Sequence, residues 1–142
     1  MRGLWLMTLI LLAVTLAIIG CGGDGESPQP TGPGSSQIPA AFEGTWEGRV
    51  SGEDFRFRIA SQGNSTAENL TVDCTGTLEA VASKATMLAM KVHLGSGPCL
   101  DRAIVVLDLL SVGQVNYRLF DSGTDYTTGT PLIEGPLART SG

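Results

Sequence analysis

The side chains able to do chemistry are few and scattered. His93 is the single histidine of the chain. It sits beside Lys91 on the polar face of the alternating stretch "TMLAMKVHL", where an imidazole is ordinarily just solvated. One histidine among many serines makes no Ser-His-Asp arrangement, because the base must be placed against both a nucleophile and an orienting acid. The 14 acidic residues contain no pair singled out by spacing for acid–base work. Asp121 and Asp125 in "DSGTDY" are oxygen donors of the kind Ca²⁺ takes, but the alternating ligands of a calcium loop are missing and turn chemistry accounts for them better. Arg49, Arg56 and Arg58 form a candidate basic spot where an anion or an acidic partner would dock, eased by Glu47 and Glu53. The three cysteines, Cys21, Cys74 and Cys99, offer neither a C-x-x-C pair nor a metal-ligand cluster. No catalytic residue, metal or cofactor is expected, and the chain reads as non-enzymatic.

Cys21 stands on a boundary. Before it, Met1-Arg2 leads into an apolar run from Gly3 to Ile19; after it come glycine, acid and serine. A spanning helix needs about 20 apolar residues, and this shorter run with an acidic, flexible far flank fits a processed export signal better. The residues Ile18-Ile19-Gly20-Cys21, an aliphatic pair, a small residue and cysteine, resemble the bacterial lipobox. That resemblance implies a diacylglycerol thioether on Cys21, with cleavage just before it. Two or more acyl chains hold a protein stably on a membrane, whereas one does so only marginally. Lipidating Cys21 leaves Cys74 and Cys99 as an even pair in a compartment where disulfides persist. Gly22 gives no acidic cue for inner-membrane retention. The expected location is therefore the cell envelope, extracytoplasmic, at the outer membrane where the host has two. "GCGGDG" also matches G-x-G-x-x-G at Gly20, Gly22 and Gly25. No strand-turn-helix surrounds it, and cleavage would remove Gly20, so it is no nucleotide site.

Removing residues 1–20 takes away one arginine. Eight basic side chains then face 14 acidic ones, for a net charge of −6. This balance argues against nucleic acid and against an electrostatic grip on anionic lipid. Residues 21–40 are the lipidated cysteine and a Gly/Pro/Ser-rich tether, which cannot bury a core. Residues 41–142 are long enough for one domain. The sequons at Asn64 and Asn69 carry no glycan in a bacterial host and mark polar, turn-like sequence.

That domain reads as all-β. "TWEGRV" places Trp46, Gly48 and Val50 on one face. "DFRFRIA" places Phe55, Phe57 and Ile59 on one face, with "SGED" as the turn between them. Pairing Val50 with Phe55 sets Trp46 against Ile59, Glu47 against Arg58 and Arg49 against Arg56, with all apolar positions on one side. "LTVDCTGTLEA" alternates through Leu70, Val72, Cys74, Gly76 and Leu78, which points Cys74 inward. "TMLAMKVHL" follows with Leu88, Met90, Val92 and Leu94. "AIVVLDL" carries Val105, Leu107 and Leu109 on one face, with Ile104 and Val106 behind, and so reads as covered on both sides. "QVNYRLF" alternates Val115, Tyr117 and Leu119, and the segments "TPLIEG" and "PLAR" close the chain. Residues 78–92 also fit a helical stripe through Leu78, Val81, Ala82, Ala85 and Leu88; a hairpin turning near Ser83-Lys84 is preferred. About eight strands with one disulfide predict a small antiparallel barrel or sandwich.

At "FEGTWEG" the sequence resembles the start of a lipocalin-type or related calycin barrel, whose first strand carries Gly-x-Trp. Gly44 and Trp46 occupy those positions. The resemblance extends to "TDY" at Thr124, Asp125 and Tyr126, and to Arg139 near the end. It implies a guanidinium packed over the indole and a barrel that carries a small lipophilic ligand. Gly-x-Trp followed by an inward pair of cysteines is also similar to small periplasmic metalloprotease inhibitors, which implies inhibition of an exported protease. The span from "CTGTLEA" through Cys99 to "VVLDLLSVGQVNYRL" is similar to uncharacterised β domains of bacterial lipoproteins. The inward set, Trp46, Phe55, Phe57, Leu70, Leu88, Met90, Leu107, Tyr117 and Leu119, is bulky enough to fill an eight-stranded interior. A filled barrel on a lipid anchor would act through its surface, as a recognition or envelope-structural module for an unknown envelope protein.

Overall fold

The computed structural model describes residues 37–99 and 101–141. Cys21, the expected signal segment and most of the expected tether lie outside these residues. A 3-10 turn, Ala40–Phe42, leads into eight strands: β1 Gly44–Val50, β2 Glu53–Ile59, β3 Ser65–Asn69, β4 Cys74–Lys84, β5 Met87–Ser96, β6 Ile104–Ser111, β7 Gln114–Phe120 and β8 Ile133–Ser141. Each strand pairs antiparallel with the next, and β8 returns to β1, so the sheet closes into a barrel. Closure gives every strand a neighbour on both sides over at least part of its length.

Two local devices set the start of the barrel. Gly44 has φ +113°, a conformation that a β-carbon would strain, and it lets the chain leave the 3-10 turn directly into β1. Ser51 (φ +52°) and Gly52 (φ +86°) then form a two-residue turn with both central residues left-handed, the form that suits the twist of a hairpin. This turn is tighter than the expected four-residue "SGED". The observed register is Trp46 with Phe57, Glu47 with Arg56, Gly48 with Phe55 and Arg49 with Asp54. The displacement from the expected pairing is two residues, an even number, so every apolar residue keeps the inner face.

Three further expectations change. Leu70 and Val72 belong to the β3–β4 turn and are exposed, and β3 is built instead from "STAEN", within the polar sequence expected to be turn. "TPLIEG" and "PLAR" contribute to a single strand, β8. It pairs with β1 only over Ala138–Ser141, so Pro136 has no ladder bond with β1 to lose. Residues 78–92 form the β4–β5 hairpin, turning at Ala85-Thr86, two residues past the expected place. Cross-strand pairing with β5 outweighs the modest helix preference of its alanines and leucine.

The core lies inside the barrel, with Phe42, Trp46, Leu88, Met90 and Leu107 fully buried. Ile38, from the end of the expected tether, packs against it. The back of β6 is covered as well: Val106 joins Ala89 and Phe120 in a second cluster outside the barrel, over which Tyr126 folds.

Candidate functional site: a cavity at the open end of the barrel

The strand directions give the barrel two unlike ends. The chain enters at one end, where the 3-10 turn stops it up. There the Trp46 indole Nε1 donates to the Phe42 carbonyl at 2.7 Å, and the Arg139 guanidinium carbon lies 4.5 Å from the Trp46 ring centroid. Arg139 also donates through Nη2 to the Ala41 carbonyl. Gly44, Trp46 and Arg139 are thus brought together as the plug of this closed end.

The opposite end is formed by the turn at Ser51-Gly52, the β3–β4 turn and the long β5–β6 and β7–β8 connections. It holds a cavity of about 380 Å³. Phe55, Phe57, Val92, Val105, Tyr117 and Leu119 make its apolar walls. The expectation of a filled interior is corrected here. Large side chains fill only the closed half. Leu70 is in a turn outside, and β3 sends in Ser65, Ala67 and Asn69, which are small or polar. Ala67 faces Gly76 across β3 and β4, and the space that two bulky residues would take is left empty.

The walls carry a compact aromatic group. The Phe55 and Phe57 rings are 6.4 Å apart and within 13° of parallel, and each lies 5.1 Å from Tyr117. Burial, and then the charge of Glu53, push the Tyr117 phenol well above its ordinary value, so it stays protonated. Glu53 and Asn69 add the polar side of the mouth. The Asn69 Nδ2 donates to Glu53 Oε2 at 2.6 Å, and Asn69 Oδ1 accepts from the Thr71 amide at 3.1 Å. Cys74 and Cys99 are bonded, with their Cα atoms 5.7 Å apart, and with Pro98 they border the mouth. The disulfide therefore ties the β5–β6 connection to the start of β4.

The other expected residues lie elsewhere. Arg56 and Arg58 are on the outer wall, interleaved with acids: Arg56 pairs with Glu47 and, at 3.2 Å, with Glu68, and Arg58 reaches Glu68 at 2.7 Å. The hydrogen bond and charge of Glu47, followed by those of Glu68, hold the Arg56 proton above its ordinary range. Arg49 reaches Asp54 at 4.0 Å and the Gly52 carbonyl at 3.1 Å. His93 is on the outside, 2.8 Å from Glu79. Asp125 Oδ1 accepts from the Thr127 amide and hydroxyl, and Asp121 Oδ1 from the Ser122 amide, so both serve their turns. Among the described residues, no three His, Cys, Asp or Glu side chains gather into a metal site.

Sequence reasoning missed Glu53 and Asn69 as cavity residues. Glu53 stands within the expected turn "SGED" and Asn69 within sequence that reads as polar and turn-like. The available signal was parity: Ser65, Ala67 and Asn69 alternate as one face, with the small and polar members inward. Comparison with known proteins finds no family model, no curated protein and no solved structure that matches this chain.

Proposed function

We propose that this chain is a non-enzymatic, extracytoplasmic lipoprotein whose barrel takes a small, mainly apolar ligand into its open end. The observation that carries the reading is the cavity of about 380 Å³, bordered by aromatic and aliphatic side chains with a few polar groups at its mouth. Its volume falls at the lower end of the range of about 300–1,000 Å³ usual for small-molecule sites. The mixture of an apolar body and few polar groups is also what such sites use to bind and orient a ligand. The resemblance of Gly44, Trp46 and Arg139 to the plugged end of a lipocalin-type barrel supports a carrier over a surface-recognition module. A surface-recognition module would be served by a filled interior, and the cavity leaves the open half of this barrel unfilled.

The anchor is read from Cys21 and the residues before it. The test is native mass spectrometry of the mature, acylated chain isolated in non-ionic detergent from its own envelope. A reproducible additional mass that is lost on denaturation is the expected result. A bare barrel in every charge state counts against the carrier reading.

A further inference from the structure

The cavity has an electrostatic signature. Two acids border the cavity, Glu53 and Glu68, and they differ. Glu68 has nitrogens of Arg56 and Arg58 within 3.2 Å on the outer wall. Glu53 has no such partner among the described residues, and no Lys, Arg or His borders the cavity. Its carboxylate is held by a neutral amide instead: Asn69, itself only 8% exposed, donates to Oε2. This bond fixes the carboxylate at the rim and leaves Oε1 for a ligand. A carboxylate beside apolar walls has lost part of its hydration, and a cation restores more of that loss than a neutral donor does.

The walls select in the same direction. Phe55, Phe57 and Tyr117 bring three aromatic rings together, and the negative faces of such rings attract cations. The acid is at the first residue of β2, by the opening, whereas Phe57 lies further along the strand into the barrel. A ligand that matches this order has its charge at the mouth and its apolar body inside. An anionic amphiphile, such as a fatty acid, would meet Glu53 with like charge and find no cation to pair with.

Resting on the reading of the cavity as a ligand site, we propose that the ligand is a small cationic amphiphile. Its single ammonium group pairs with Glu53 Oε1 at the mouth, and its aliphatic or aromatic body lies along Phe55, Phe57 and Tyr117.

The test uses the full mature chain in phosphatidylcholine nanodiscs, with empty nanodiscs as the reference for partitioning into lipid. Three probes share one body and differ in head: 4-phenylbutylammonium, 4-phenylbutanol and 4-phenylbutanoate. Titration calorimetry at pH 7 is expected to show the ammonium binding at least about tenfold tighter than the alcohol, as an added charged hydrogen bond would give, with the carboxylate weakest. Added salt narrows the gap, because the rim is partly open to solvent. Glu53→Gln keeps an acceptor for Asn69 and is expected to bring the ammonium and the alcohol within about twofold by weakening the ammonium. Equal binding of the three probes, or tightest binding of the carboxylate, overturns the cationic ligand while keeping the cavity as a ligand site. A preference for the ammonium that survives Glu53→Gln overturns the role of Glu53. Failure of all three probes to bind overturns the carrier reading and this inference together.

Discussion

Ala67 on β3 and Gly76 on β4 face each other inside the barrel wall, and the cavity exists because neither has bulk to give it. The two positions are not equivalent. A β-carbon at Gly76 would lie 3.0 Å from the His93 carbonyl oxygen and 3.1 Å from Val92 Cγ1, so growth there presses on β5. Ala67 borders the hollow itself. Ala67→Leu is expected to abolish uptake of 4-phenylbutanol and to leave stability unchanged or raised by up to about 2 kcal/mol, at about 0.8 kcal/mol per buried CH₂. Gly76→Ala is expected to lower stability through overpacking by about 1–3 kcal/mol. Urea denaturation and probe titration of both variants check this, and a strongly destabilised Ala67→Leu would mean that the space is not there to fill.

At the other end, the Arg139 guanidinium over the fully buried Trp46 ring does two things. It adds a cation–π contact, and it donates to the Ala41 carbonyl, fastening the 3-10 turn that closes the barrel. Arg139→Ala should cost about 1–2 kcal/mol, the range for a desolvated pair. Arg139→Lys should recover only part of that, since an ammonium lacks the planar fork that stacks and donates at once. Trp46→Ala, which empties the plug, should cost about 3–5 kcal/mol. Equilibrium denaturation ranks the three; equal stability of the lysine and arginine proteins would show that charge alone matters at this position.

The Cys74–Cys99 bridge closes a loop with a sequence separation of 25, for which the chain-entropy relation gives about 3.5 kcal/mol. Cys74→Ser with Cys99→Ser should therefore lower stability by an amount approaching that figure. Thiol reductant should destabilise the native protein to the same level and leave the double variant unmoved. Because Cys99 borders the mouth, probe affinity should fall with the bridge. Unaltered affinity would show that the β5–β6 connection holds its place through its hydrogen bonds alone.

The lipid anchor has its own test. Cys21→Ala should leave the chain uncleaved or released, and unlabelled by radioactive palmitate, while the native chain takes the label and sediments with membranes. Labelling that persists in Cys21→Ala would remove the lipobox reading without touching the barrel.

The strands were legible where bulk and polarity alternate. Trp46, Phe55, Phe57, Leu88, Met90, Leu107 and Tyr117 are inward by parity alone, and the structure buries all of them. Parity also survived the two-residue register change of the first hairpin, because an even shift preserves the face. The cavity was not legible, because it is made by what is missing. "STAEN" lacks the apolar alternation that announces a strand, and Asn69 is buried only because Glu53 and the Thr71 amide satisfy its polar atoms. A sum of side-chain volumes over the strands that can be recognised will count the bulk and miss the strand that contributes none. Glu53 was hidden by the turn beside it: a two-residue turn and a four-residue turn look alike in "SGED" until the φ angles of Ser51 and Gly52 are known.

The β5–β6 connection has a second fastening besides the disulfide, and this one responds to acid. Asp101 Oδ1 accepts from the Leu94 amide at 3.1 Å. That bond is the main reason its carboxyl is held below its ordinary value; the Arg102 amide and the charges of Arg102 and His93 act the same way, against a smaller effect of desolvation. A carboxyl depressed by folding stabilises the fold while ionised. The contribution is complete above the ordinary carboxylate range and is lost as pH falls through the depressed folded value. Amide exchange protection of Leu94, corrected for the intrinsic rate, should hold through neutral pH and fall below about pH 4, the carboxylate reference range. Asp101→Ala should lack that protection at every pH, and Asp101→Asn, which keeps an acceptor but no charge, should show weaker protection without the acid limb. An acid limb that persists in Asp101→Asn would assign the titration to another carboxyl group and leave Asp101 as a passive acceptor.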